Sequence, residues 1–115
     1  MRADGDRAEA LAAQFLMRRG LVIVARNFRT REGEIDLVAR DGATLVFVEV
    51  RMRRSQRFGG AAASITAQKR ERLARAASAY LAMLGREPPC RFDAILMRGV
   101  DAATIEWQRD VMSVA

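Results

Sequence analysis

Gly33-Glu34-Ile35-Asp36-Leu37-Val38-Ala39-Arg40, then Asp41-Gly42, then Ala43-Thr44-Leu45-Val46-Phe47-Val48-Glu49-Val50-Arg51 reads as two apolar strands joined by a tight turn. Asp-Gly between alternating apolar runs is the strongest short-range hairpin signal. With Asp41 and Gly42 as the turn residues, Arg40 lies opposite Ala43, Asp36 opposite Phe47 and Glu34 opposite Glu49. Opposed residues project from one side of a sheet. One side then carries Ile35, Leu37, Ala39, Val46, Val48 and Val50, a core face, and the other carries Glu34, Asp36, Glu49 and Arg51. Like charges opposed on a sheet destabilise it by up to about 1 kcal/mol per pair. A cation, a shared proton or solvent must neutralise them.

Composition narrows the choice of cation. The chain has no histidine and a single cysteine, Cys90, which leaves little room for zinc or copper on nitrogen and sulfur ligands. Histidine general-base and Cys-His nucleophile chemistries fall with it. A hard divalent ion on carboxylate oxygens, Mg²⁺ or Mn²⁺, remains. The 115 residues, half of them apolar, fit one domain (1–115) with one core. With 20 basic against 14 acidic residues, net charge +6 and a pI near 11.1, the chain favours an anionic partner, nucleic acid before membrane. The N-terminus has no apolar core of a leader, and the longest apolar runs are strand-sized. The expectation is a cytoplasmic protein.

Working outward from the hairpin, the chain opens with a helix. Asp6-x-x-Glu9 has capping-box spacing, Ala8, Leu11, Ala12, Phe15 and Leu16 form an apolar stripe, and Gly20 is a stop. Leu21 to Phe28 reads as a strand. Beyond the hairpin, Arg53 to Gly60 is basic and glycine-containing, a loop by composition. A second helix is expected from Thr66, its N-cap, to Gly85, with Leu73, Ala76, Ala77, Tyr80, Leu81 and Leu84 inward. Pro88-Pro89 breaks the chain. Arg91 to Met97 and Thr104 to Gln108 read as strands, and Val111 to Ala115 is too short to assign. The order α-β-β-β-α-β-β predicts an α/β fold, a mixed sheet flanked by helices.

Asp36 and Glu49 on adjacent strands suit a divalent ion that activates water and stabilises charge developing on phosphorus. Arg51 beside them can orient the water or neutralise the phosphate. Arg53, Arg54 and Arg57, with Arg29 and Arg31, can cradle a phosphate backbone, and such contacts carry no base information. Asp93 on a core strand reads as a structural hydrogen-bonding residue, and Cys90 and Trp107 as packing residues.

An acid, a twelve-residue gap and then Glu49-Val50-Arg51 resemble the PD-(D/E)xK signature of the restriction-endonuclease-like superfamily. More narrowly, Arg26-Asn27-Phe28-Arg29, Gly33-Glu34-Ile35-Asp36-Leu37, Phe47-Val48-Glu49-Val50, Phe58-Gly59, Lys69 and Arg91-Phe92-Asp93 resemble the uncharacterised bacterial YraN family, related to archaeal Holliday-junction resolvases. The likeness implies a restriction-endonuclease-like fold and a Mg²⁺ or Mn²⁺ nuclease site. It implies Asp36 and Glu49 as metal ligands, with Glu9 completing the site and Glu34 in the shared Gly-Glu-Ile-Asp motif. Where the signature has lysine, this chain has Arg51, which stays charged at any relevant pH and cannot act as a general base. Lys69, the lone lysine among 20 basic residues, is the candidate replacement from the second helix. Three readings stand: an endonuclease on DNA, branched or otherwise structured, a non-catalytic nucleic-acid-binding module with a degenerate site, or an interaction or structural domain whose carboxylates are merely solvated. Resemblance to resolvases implies a homodimer.

Overall fold

A computed structural model describes residues 3–112. Helix α1 (Ala3–Arg18) is followed by strands β1 (Val22–Arg29), β2 (Glu34–Asp41) and β3 (Thr44–Met52). Two helices follow, α2 (Gly60–Ala63) and α3 (Ala67–Leu84), then β4 (Cys90–Met97) and β5 (Glu106–Met112). The five strands form one sheet in the order β1-β2-β3-β4-β5. Only β3 and β4 run parallel, joined by the α2–α3 crossover, and the other neighbours are antiparallel. This is the expected mixed α/β sheet flanked by helices. No helix among the described residues is long and apolar enough to cross a membrane.

Both faces of the sheet are buried. Ala8, Ala12, Ala13 and Leu16 of α1 cover Leu37, Ala39, Val46, Val48 and Val50. On the reverse, Leu73, Ala76, Ala77 and Tyr80 of α3 cover Ile35, Val38, Leu45, Phe47 and Phe92. Period-2 alternation along β3 therefore sends Leu45 and Phe47, then Glu49 and Arg51, toward the α3 side. Ile35 was expected beside Leu37 but packs with the α3 cluster instead. Pairing of β2 with β3 ends at Leu37–Val48, and Ile35 instead pairs with Phe28 of β1, which packs in the same α3-side cluster.

The hairpin register differs from expectation. Asp41 pairs with Thr44 and Arg40 with Leu45, so Gly42 and Ala43 are the turn residues. Gly42 alone of the two has positive φ, +60°, which suits a turn with glycine first rather than a type I′ Asp-Gly turn. The slip is by two residues, so side chains keep their faces while partners change. The expected Glu34–Glu49 pairing is corrected, and Asp36 is brought beside Glu49.

Helix ends explain two further outcomes. α1 begins at Ala3, so Asp6 and Glu9 lie inside it and do not form its capping box. Its other end closes through Leu21 N–H to Leu16 O and Gly20 N–H to Met17 O, a Schellman pair with Gly20 at φ +91°. α3 matches its forecast: the Thr66 side chain accepts from Lys69 N–H, and Gly85 takes the left-handed position. The segment assigned to loop contains a 3₁₀ turn (Arg57–Gly59) and α2. The last strand starts later than expected because Ala102–Thr104 forms another 3₁₀ turn, and residues 113–115 lie outside the described ones.

Asp93 has no exposed surface and fastens the far side of the sheet. It accepts from Arg91 Nε at 3.1 and 3.2 Å, Trp107 Nε1 at 3.0 Å and the Asp110 N–H at 2.9 Å. Arg91 also reaches Asp41 at the hairpin tip, at 3.0 Å. Trp107 is thus more than a packing residue. Asp93→Ala leaves these donors without an acceptor and is expected to cost about 3–5 kcal/mol, read by urea unfolding. A loss under about 1 kcal/mol contradicts this account.

Candidate metal centre

Where β2 and β3 part, the Val50 N–H faces no recorded strand partner, and a buried N–H needs one. Asp36 supplies it, with Oδ2 accepting at 2.8 Å. The hydrogen bond pins the carboxyl of Asp36 against that of Glu49, close enough for the two to share a hydrogen bond. The next residue on the same face of β3, Arg51, places Nη1 3.8 Å from Glu49 Oε2. Side chains at Glu49 and Arg51 are only 14% and 16% exposed.

The protonation behaviour follows from this crowding. Burial pushes the Glu49 carboxyl up from an ordinary 4.5 to about 8, reinforced by the charge and hydrogen bond of Asp36. Arg51 and Lys69 oppose the rise without cancelling it. Burial likewise raises Asp36, against its hydrogen bonds to Glu49 and Val50, and Glu34 adds repulsion. Native protein therefore binds more protons here than unfolded chain between pH 4.5 and about 8. Stability held below that window is lost as pH rises through it. The melting temperature of cation-free protein is expected to fall across this range, the change amounting to a few kcal/mol. Glu49→Gln should flatten the profile, and an unchanged slope in that variant argues against a protonated pair.

Around the pair is a pocket of about 350 Å³ lined by residues of α1, β2, β3 and α3. Glu9 enters from α1, Glu34 and Asp36 from β2, Glu49 and Arg51 from β3, and Lys69 from the first turn of α3. Glu9 is not engaged in the expected cap. Glu34 stands at the rim with its carboxylate 3.2 Å from Arg29 Nε, an exposed pair of little energetic weight. Among the described residues, no three Asp, Glu or Cys side chains gather into a ready-made metal cluster. The closely joined pair is Asp36 and Glu49, while Glu9 and Glu34 share its pocket.

The donor set suits a hard cation. Two carboxylates with space beside them match an ion that keeps several waters, as Mg²⁺ does, better than one needing a full protein cage. The surrounding guanidinium and ammonium groups favour phosphate oxygens as the remaining partners.

Arg53 lines the same pocket, whereas Arg31, Arg54 and Arg57 are exposed outside it. Two contributors were not foreseen. Ser64, just after α2, accepts from Arg51 Nε at 3.0 Å and donates to Ala61 O at 2.6 Å, fixing the guanidinium. The β1–β2 loop closes on Thr30, whose Oγ1 accepts from the N–H groups of Glu32 and Gly33, and Arg72 Nε reaches Glu32 O. Ser64 follows a run of alanines and Thr30 lies in a polar loop, and neither setting marks its contact in advance.

A family model described as uncharacterised protein family UPF0102 matches residues 8–97. The UPF0102 protein of Methylobacillus flagellatus is 57% identical over 98% of this chain and 99% of its own length. That of Nitrosospira multiformis is 52% identical over 99% of this chain and 96% of its own length. That of Symbiobacterium thermophilum is 56% identical over 82% of this chain and 80% of its own length.

Proposed function

We propose that this chain, which belongs to the uncharacterised protein family UPF0102, is a divalent-metal-dependent nuclease hydrolysing phosphodiester bonds, in DNA before RNA. One observation carries the reading: two half-buried carboxyls from separate strands meet in a pocket that Arg51, Arg53, Arg72 and Lys69 line together with Glu9 and Glu34. A fold gains nothing from opposing two such acids unless something positive completes them.

Asp36 and Glu49 would hold the cation, with Glu9 acting from α1 at the pocket wall. Bound there, it would supply Lewis-acid activation of water and neutralise charge on the phosphoryl group. Arg51, held by Ser64, presents a fixed positive charge to a phosphate oxygen. It cannot accept a proton, so its part is electrostatic. Lys69, in the first turn of α3, lies within electrostatic reach of Glu49 and adds a second positive charge to the pocket. Arg29 and Arg31 extend the positive rim for the flanking backbone. The strand is bound through phosphates, so affinity should fall steeply with salt and depend little on sequence.

A second reading has a specific observation behind it. Arg51 is engaged on both sides, by Glu49 and Ser64, which suits binding without turnover. Two measurements separate the readings. Mn²⁺ should raise the melting temperature by several degrees, since saturation at a hundred times Kd adds about 2.7 kcal/mol. Absence of any shift at millimolar Mn²⁺ counts against both. Single-turnover assays on branched and linear duplexes should then detect cleavage. A Mn²⁺ shift without cleavage favours the binding module. In that case, activity gained by Arg51→Lys would identify a decayed site.

A further inference from the structure

Past Arg53 the carboxylate pocket gives way to a second concavity of about 490 Å³, lined by Arg53, Ser55, Arg57, Gly60, Ala63 and Ser64. Among the described residues, no acidic one lines it. Arg53 lines both cavities and so forms a wall they share. Ser64 also stands at the junction, its Oγ facing Arg51 on one side while the residue lines the groove on the other. Ser55 Oγ accepts the Arg57 N–H at 3.1 Å and fixes the turn that carries Arg57. The Arg53 backbone is tied down through its N–H to Met97 O at 3.0 Å.

We propose that this groove is a binding subsite for a backbone phosphate of a nucleic acid strand, next in line to the phosphate held at Asp36 and Glu49. The assignment rests on the nuclease or binding reading above, because the strand must enter the carboxylate pocket first. Three features support it. Guanidinium and hydroxyl groups without an acid are the donor set for phosphate oxygens. Partial burial lowers the Arg53 pKa, and repulsion from the nearby Arg51 charge adds to it. An anion between them relieves that repulsion. Finally, a shared wall lets one continuous strand occupy both cavities, with Arg53 contacting it at the crossing. The groove thus sets the path of the strand away from the cleavage point, over α2 rather than along α3.

The test uses the whole protein in EDTA, so that no strand is cut, and a fluorescent six-nucleotide thymidylate strand read by anisotropy. Arg57→Ala should weaken binding about five- to tenfold and reduce the slope of log K against log salt by about 0.7, the value for one phosphate of a single strand. Arg57→Lys should stay within about twofold of wild type, which separates lost charge from a disturbed turn. Arg86→Ala is the control for general charge. It lies beyond the far end of α3, whose 18 residues span about 27 Å. Its affinity should remain within about twofold of wild type. Equal effects of Arg57→Ala and Arg86→Ala, or no effect of Arg57→Ala, overturn the subsite. So does a wild-type protein that fails to bind the strand. The Mn²⁺ shift is scored separately: its absence in wild type sinks the metal reading, whereas an intact shift with no Arg57 effect sinks only the subsite.

Discussion

Asp36→Asn is expected to abolish the Mn²⁺-induced rise in melting temperature and to reduce cleavage on the order of 10²- to 10³-fold, while making the cation-free protein more stable at pH 8. The opposite signs come from one substitution acting on two terms. Asparagine keeps an acceptor for the Val50 N–H, so the backbone hydrogen bond at 2.8 Å survives. It removes the charge that opposes Glu49, and its amide can donate to that carboxylate. Buried like charges a few ångströms apart interact by several kcal/mol even at an effective dielectric constant near 20, so a gain of about 1–3 kcal/mol is expected after relaxation. Urea unfolding with and without Mn²⁺ measures both. A variant that is less stable and still responds to Mn²⁺ would mean the pair is structural and the cation binds elsewhere.

Gly33→Ala is expected to destabilise the protein by about 2–3 kcal/mol and weaken Mn²⁺ binding together with it. A Cβ at Gly33 would lie 2.3 Å from the Arg72 carbonyl oxygen and 2.8 Å from its carbon. Both obstacles are main chain of a capped helix, so neither can swing aside as a side-chain tip would. Relief requires the start of β2 to move away from α3. Those two elements carry Glu34 and Asp36 on one side, Lys69 and Arg72 on the other. A backbone shift of an ångström there separates groups that share one pocket. Chemical denaturation gives the stability and Mn²⁺ titration the affinity. Stability within about 0.5 kcal/mol of wild type would mean the contact yields easily.

Gly33 also marks the boundary of what could be read in advance. It does not take positive φ, so no turn rule singles it out. Its constraint comes from a helix forty residues further along, which no local pattern carries. The elements whose cause is local were legible: α3 with Thr66 and Gly85 at its ends, the Gly20 stop of α1, and the alternation of β3. The hairpin was half legible. The Asp-Gly signal points to Asp41-Gly42 as the turn, whereas Gly42-Ala43 forms it. The two differ by an even slip, so the convergence of Asp36 and Glu49 survived a mistaken choice of partners. Asp6 fitted a cap by spacing, but Ala3 onward is already helical, and spacing alone cannot date the start of a helix. The Arg51–Ser64 contact was not legible, because α2 is a single turn of small residues without an amphipathic stripe. Asp93 was identified as a hydrogen-bonding core residue from a lone acid within an apolar run. Its three donors come from β4 and β5, which the pattern could not assign.

Those donors have a practical consequence. The chain has one tryptophan, and its indole N–H ends on the Asp93 carboxylate that also holds the Asp110 backbone. Fluorescence from that ring is therefore a built-in gauge of whether the sheet's outermost strand is seated. Emission that shifts before the far-ultraviolet dichroism changes would reveal fraying at this margin, ahead of global melting. Coincident transitions would mean that the β5 edge and the carboxylate pocket on β2 and β3 open as one cooperative body.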